Sequence, residues 1–299
     1  MEFFTSKNNT DFAQHFMRLS EVDFSVCKAF VLRRFEAFCY FHHIVEFDKV
    51  EHLIGLDEQL EILRTNTASF LAGKNALNVL AWGARGCGKS SCIKRILGEF
   101  LGLYEDKSLA KSREDSCNLL RVLELDSKDI LLLPLLFDVL RNQPYKFVIF
   151  CDDFSFRAGQ SEYKSIKSVL EGSLEARAGN ILLYATSNIR KIIENAGADN
   201  TPEHSIVQEE LSFSDRFGLQ IGFYDFGTRE YLACIEEFLA QVELKCIGKG
   251  ELDLQCENLN DISKNIRQKA LNYATKMGGK NARIAKDFAN LIANGIEKI

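Results

Sequence analysis

The sequence predicts an α/β protein in which a parallel five-stranded sheet is sandwiched by helices, followed by a small all-helical unit and preceded by an aromatic-rich helical segment. Three observations carry this expectation. Five short runs are apolar along almost their whole length: NVLAWG (78–83), LRVLEL (120–125), KFVIFCDD (146–153), NILLYATSN (180–188) and LQIGFYDF (219–226). Continuous apolar runs of this kind suit strands buried on both faces. Helical patterns fill the spaces between them, which places helices on both sides of the sheet. After Phe226 the strand signals fade, and helical patterns remain at 228–242, 259–277 and 281–299. The expected segments are therefore 1–47, 48–226 and 227–299.

Taken in order, the first 47 residues hold ten phenylalanines, Phe3, Phe4, Phe12, Phe16, Phe24, Phe30, Phe35, Phe38, Phe41 and Phe47. Within them VDFSVCKAFVLRRFEAFCYFHH (22–43) spaces apolar residues by threes and fours around Arg33 and Arg34, the pattern of an amphipathic helix. Its aromatics either pack onto the next domain or dock a partner. NVLAWG is followed by a helix from Lys89, LRVLEL by ILLLPLLFDVLR (130–141), KFVIFCDD by YKSIKSVLEGSLEA (163–176), and NILLYATSN by IRKIIENA (189–196).

Composition narrows the function classes. With 46% hydrophobic and 26% charged residues, the 299-residue chain is ordinary globular material. A net charge of −5 argues against a surface built for bulk neutralisation of phosphates, while a local basic groove stays open. No apolar run approaches the roughly eighteen residues of a membrane span, and the start, MEFFTSKNNTDF, lacks a signal-peptide pattern. A soluble, cytoplasmic protein without a membrane partner is expected. The cysteines (27, 39, 87, 92, 117, 151, 234, 246, 256) form no CxxC pair, so buried thiols in a reducing cytosol are the leading reading and a metal or redox site the alternative. His42 and His43 are adjacent and would point in different directions.

Chemistry enters at NVLAWGARGCGKSSCIKRIL (78–97). Gly83, Gly88, Lys89 and Ser90 satisfy G-x-x-x-x-G-K-[ST] between a strand and a helix, the context that makes this pattern a phosphate-binding loop. Its backbone from Gly83 through Ala84, Arg85, Gly86, Cys87 and Gly88 would turn N–H groups toward phosphate oxygens, with Ser91 in the first helical turn. Lys89 would bridge the β- and γ-phosphates of ATP, and Ser90 would give its hydroxyl to Mg²⁺. A cradle alone hydrolyses nothing. The run FVIFCDD places acids at the C-terminal edge of a buried strand, where ligands sit in open α/β sheets. Asp152 is the candidate Mg²⁺ ligand and Asp153 the group that orients the attacking water.

The order of Gly83–Ser90, Asp152 and Asp153, YATSN and SDRFG resembles an AAA+ ATPase. More closely, NTASFLAGKNALNVLAWGARGCGKSS, FVIFCDDFSF, YKSIKSVLEGSLEARAGNILLYATSN and LSFSDRFGLQIGF are similar to a bacterial family of predicted ATP-binding AAA+ proteins of unassigned biological role. The resemblance runs from about Phe47 to the C-terminus. It implies an ATP- and ADP-binding homo-oligomer with a helical lid. By position it makes Asn188 the polar sensor that aligns the water, Arg216 an arginine finger reaching a neighbouring subunit, and Arg283 a second sensor placed by the lid. HLIGLDEQ (52–59) matches the segment near adenine, with Leu53 and Ile54 as apolar contacts. Two positions depart from the pattern: Asp153 stands where Glu is common, and Ile189 where a polar or basic residue is expected.

The leading expectation is an ATPase whose nucleotide state changes its conformation within an oligomer. A helicase-loader-like, nucleic-acid-associated protein is one alternative, for which Arg33, Arg34, Arg190, Lys191 and 264–269 are the basic candidates. A nucleotide-gated scaffold with little hydrolysis, and with an unidentified protein partner, is the other.

Overall fold

The computed structural model describes residues 22–35, 38–50, 53–104, 118–154, 178–188, 217–247 and 259–296. The chain divides into two compact units. One is made of Met1–Glu51, Glu58–Trp82 and Ser90–Gly222, and the other of His52–Asp57, Gly83–Lys89 and Phe223–Ile299.

The first unit is built on a sheet whose strands are β1 (Ala29–Phe35), β2 (Phe38–His43), β3 (Val79–Gly83), β4 (Leu120–Asp126), β5 (Lys146–Asp152), β6 (Ile181–Ser187) and β7 (Leu219–Phe223). Their spatial order is β2-β1-β4-β5-β6-β3-β7. The pairs β1–β4, β4–β5, β5–β6 and β3–β6 are parallel. All seven residues of β6 are buried and five of seven in β5, which is why these runs are apolar throughout. The register sets Asp126 opposite Asp152, so the strand ends bring acids together.

Among the described residues the sheet has seven strands rather than the expected five, and the two additional ones come from the segment read as a helix. Strands Ala29–Phe35 and Phe38–His43 pair antiparallel and extend the sheet beyond β4. Apolar residues stand at so many positions there that period two is satisfied as well as period three to four. Phe30, Leu32 and Phe41 turn inward, while Arg33 and Arg34 are exposed. Aromatic and β-branched side chains favour a pleated surface, and β4 offers a ladder of unpaired backbone groups that a helix could not fill. Phe24 fixes the arrangement, meeting the rings of Phe30, Phe41 and Phe147 edge-on at 5.2, 5.5 and 5.0 Å. The buried guanidinium of Arg121 donates to the Phe24 carbonyl and lies 3.8 Å over the Tyr145 ring. Residues 1–21 lie outside the described residues.

Helix α1 (Asp57–Leu71) was not singled out in the sequence. It aims β3. Its Asn66 donates to the Leu77 carbonyl and accepts from the Leu77 N–H, at 2.9 and 3.0 Å. Asn66 and Thr67 also bond the hydroxyl of wholly buried Tyr184 on β6, whose pKa burial pushes up to about 12. Helix α2 (Lys89–Phe100) follows β3, and its buried Glu99 accepts from Arg95 at 2.8 Å and from Arg64 of α1 at 3.0 Å. The run 130–141 divides: Ser127–Leu132 is a 3-10 segment capped by Asp126, and Pro134 then starts helix α3 (Leu133–Leu140), where its missing N–H costs nothing. The helices expected at 163–176 and 189–196 lie outside the described residues.

The second unit contains α4 (Thr228–Ile247), α5 (Leu259–Met277) and α6 (Ala282–Ala293), the three helices read from the sequence. Tyr231, Cys234, Ile235, Ala270, Ala274, Ile284, Ala285 and Phe288 form their core. Asn281 caps α6 by accepting from the Ile284 N–H at 3.0 Å. Among the described residues no helix is long and apolar enough to cross a membrane.

Candidate functional site

The glycine loop belongs to the second unit and is shaped by close backbone approach. At Gly83, φ is +142°, and a Cβ there would stand 1.9 Å from the Phe223 carbonyl oxygen, so only glycine fits. At Gly86, φ is +84°, and a Cβ would lie 2.6 Å from Asn281 Oδ1 and 3.0 Å from Arg283 Cβ. The loop crest thus rests on the start of α6, with Arg283 beside it and its side chain exposed. Cys87 is buried and donates through Sγ to Asp225 Oδ1 at 3.4 Å. Lys89, 6% exposed, donates through its ammonium to the carbonyls of Gly83 and Ala84 at 2.8 and 2.7 Å. Ala84 is half-buried and Arg85 exposed.

From the adenine-side segment, Ile54 packs against the helical core and Leu53 is half-buried. Leu56, in the same segment, is buried, its Cδ1 2.6 Å from where a Cβ on Gly88 would be.

In the first unit, Ser90 opens its share of α2 and its hydroxyl donates to Asp152 Oδ1 at 2.6 Å. Ser91 is half-buried in the same turn. Asp152 Oδ1 also accepts from Thr186 Oγ1 at 2.5 Å and from the Asp153 N–H at 3.1 Å. Asp153 turns the chain out of β5 with a φ of +51°, unusual for a residue with a side chain. Its N–H reaches Thr186 Oγ1 at 2.9 Å, and the next N–H, of Phe154, reaches the Thr186 carbonyl at 2.7 Å. Asn188 then donates through Nδ2 to Asp153 Oδ1. Ser90, Asp152, Asp153 and Asn188, read from separate stretches of sequence, therefore form one hydrogen-bonded cluster, and Thr186 completes it. The signal for Thr186 was a hydroxyl inside a fully buried strand, since a buried hydroxyl must find a partner.

Nearby on β4, half-buried Glu124 has its pKa raised, first by burial and further by the charges of Asp152 and Asp126, against a lowering by Lys94. Cys92 and Cys151 are buried, and burial raises both thiols, Cys92 to about 12. Inert core packing accounts for them, and among the described residues no group of three or more His, Cys, Asp or Glu is placed to hold a metal by itself. Arg34 pairs with Asp129 at 2.9 Å and Arg267 with Glu236 at 2.8 Å. Arg216, Ile189, Arg190 and Lys191 lie outside the described residues.

The fold is similar to that of the FIGL-1 AAA domain solved in complex with ADP, with a TM-score of 0.50 and 14% identity over 82% of this chain and 75% of that one. It is likewise similar to the ORC1 protein of Aeropyrum pernix solved in complex with DNA, with a TM-score of 0.51 and 15% identity over 83% of this chain and 62% of that one. At such identities the likeness establishes the AAA+ fold. No curated protein sequence matches the chain. A family model described as "Protein of unknown function (DUF815)" matches residues 25–296, and the chain, an AAA+ protein by fold, belongs to that family.

Proposed function

We propose that the protein binds ATP with Mg²⁺ and hydrolyses it, and that nucleotide state drives a conformational change within an oligomer. The observation that carries this reading is the cluster of Ser90, Asp152, Asp153 and Asn188, which starts one residue after the glycine loop ends at Lys89.

The residues suit their proposed ligands. A hydroxyl has one proton and two lone pairs, so Ser90 can donate to Asp152 and still offer oxygen to a cation. Hydroxyl and carboxylate oxygens are the hard donors that Mg²⁺ takes, and the ion would neutralise charge developing on the phosphates. The positive φ angles at Gly83, Gly86 and Gly88 let the loop turn so that backbone N–H groups can face an anion. Lys89 supplies the mobile positive charge for the β- and γ-phosphates, exchanging its carbonyl partners for phosphate oxygens. Asp153, held by Asn188, orients the attacking water and accepts its proton. Arg283, at the loop crest, would read the γ-phosphate from the lid, and Arg216 would complete the site of a neighbouring subunit, as the family resemblance implies.

The test is an ATP titration of the parent and Lys89→Ala. Binding should be lost in the variant while its melting temperature stays at the parent's value; unchanged affinity would sink the assignment. Mixing Lys89→Ala with Arg216→Ala, each inactive alone, should restore part of the turnover in co-purifying oligomers. Inactive mixed oligomers would remove the shared-site part of the proposal. The scaffold reading keeps one supporting observation, the catalytic carboxylate being Asp rather than Glu; ATP binding with negligible turnover would favour it.

A further inference from the structure

The geometry points to Thr186 as a positioning residue that holds the metal-side acid and the water-side acid in one arrangement. This inference rests on the ATPase reading above and adds to it a residue that neither the loop pattern nor the acid pair contains. Thr186 is 1% exposed and sits on β6, beside β5, where its ladder neighbour is Ala81 on the other side. Its hydroxyl works in both directions, donating to Asp152 Oδ1 at 2.5 Å and accepting from the Asp153 N–H at 2.9 Å. Its carbonyl accepts from the Phe154 N–H at 2.7 Å. Two consecutive peptide groups after β5 are thus anchored on one residue, and the chain leaves the strand with Asp153 at a φ of +51°.

The consequence follows from what each bond constrains. Asp152 takes its proton donors on Oδ1, so its rotamer is set by Ser90 and Thr186 together. Asp153 keeps a left-handed backbone that a residue with a side chain holds only when its surroundings fix it, and the Thr186 hydroxyl is one of the groups doing so. Without that hydroxyl the Asp153 peptide relaxes and its carboxylate leaves the position from which Asn188 binds it. Partners that orient ligand side chains matter to metal sites by about 10- to 100-fold on removal.

Thr186→Val keeps the shape and strand preference while removing the hydroxyl, and Thr186→Ser keeps the hydroxyl. In the full-length protein, Thr186→Val should lower kcat by about 10- to 100-fold and raise the Mg²⁺ concentration for half-maximal turnover by about tenfold. Its ATP affinity should stay within about twofold of the parent, because the Thr186 hydrogen bonds run to Asp152, Asp153 and Phe154. Thr186→Ser should recover most of both losses. A second readout needs neither nucleotide nor turnover. In residue-resolved hydrogen exchange, the Asp153 amide should exchange about tenfold faster in Thr186→Val, while the Phe154 amide, bonded to a backbone carbonyl, keeps its protection. Parent-like kcat and Mg²⁺ response in Thr186→Val, or unchanged Asp153 exchange in a folded variant, would overturn the inference. Failure of the parent to bind ATP would overturn the ATPase reading instead, and the catalytic part of the inference with it, leaving the exchange result to decide the structural link.

Discussion

The glycine loop and the acid cluster are built on opposite principles. In the loop, position is decided by what cannot be there: a Cβ at Gly83 would stand 1.9 Å from a backbone oxygen that has no freedom to move. In the cluster, position is decided by what must be there, since Asp152 Oδ1 gathers donors from Ser90, Thr186 and Asp153. Steric exclusion is all-or-none, whereas a hydrogen-bond network weakens one bond at a time. Added side chains at the loop glycines should therefore register as loss of folding, and changes in the cluster as loss of chemistry in a folded protein.

The strongest challenge to this contrast is Gly83→Ala. The added methyl meets the Phe223 carbonyl, so the variant should lose about 3–5 kcal/mol and be recovered, if at all, with a sharply lower melting midpoint. Melting at the parent's temperature would show that the loop is not sterically determined. Asp153→Asn probes the other side. The amide oxygen still accepts from Asn188, so fold and ATP affinity should persist, while turnover falls by at least about a hundredfold because the proton acceptor is gone. A variant turning over at the parent's rate would remove Asp153 from its role.

The smallest effect expected is that of Glu124→Gln, which sharpens the comparison by measuring the charge crowded at the acid-bearing strand ends. Burial, and then the neighbouring acids, raise the Glu124 pKa, so the folded state favours its protonated form. The parent is unpenalised below the ordinary Glu value, near pH 4, and loses stability as pH climbs from there through the raised value. At pH 7, Glu124→Gln should melt about 1–3 °C higher than the parent, and the two curves should converge near pH 4. A gap independent of pH would show that the carboxyl is not the cause.

Much of the fold was legible because its strands are buried on both faces and cannot be written with polar residues. The runs at 120–125, 146–153 and 180–188 were read within a residue or two of their limits. The strands at 29–35 and 38–43 are not legible in the same way, because their density of aromatic residues matches two periods at once and nothing local chooses between them. In the candidate site, Lys89, Ser90, Asp152 and Asp153 were legible as candidates because they stand in short, contiguous patterns of the types that phosphate and metal binding would call for. Thr186, Asn281 and Asp225 were not, because their contributions are bonds and contacts to residues distant in sequence: Thr186 meets Asp152 across 34 positions and Asp225 meets Cys87 across 138.

By itself the sequence determined the loop, the acid pair and the strands that carry them, since each depends on residues within a few positions of one another and on a backbone geometry that glycine alone permits. Only the tertiary structure decided that residues 29–35 and 38–43 join the sheet, since the unpaired edge of β4 called for hydrogen bonds that no helix could offer it. It also decided which hydroxyl binds the two acids together, because a threonine inside a buried strand can serve any neighbour, and the parallel pairing of β5 with β6 brought Asp152 and Asp153 within its reach.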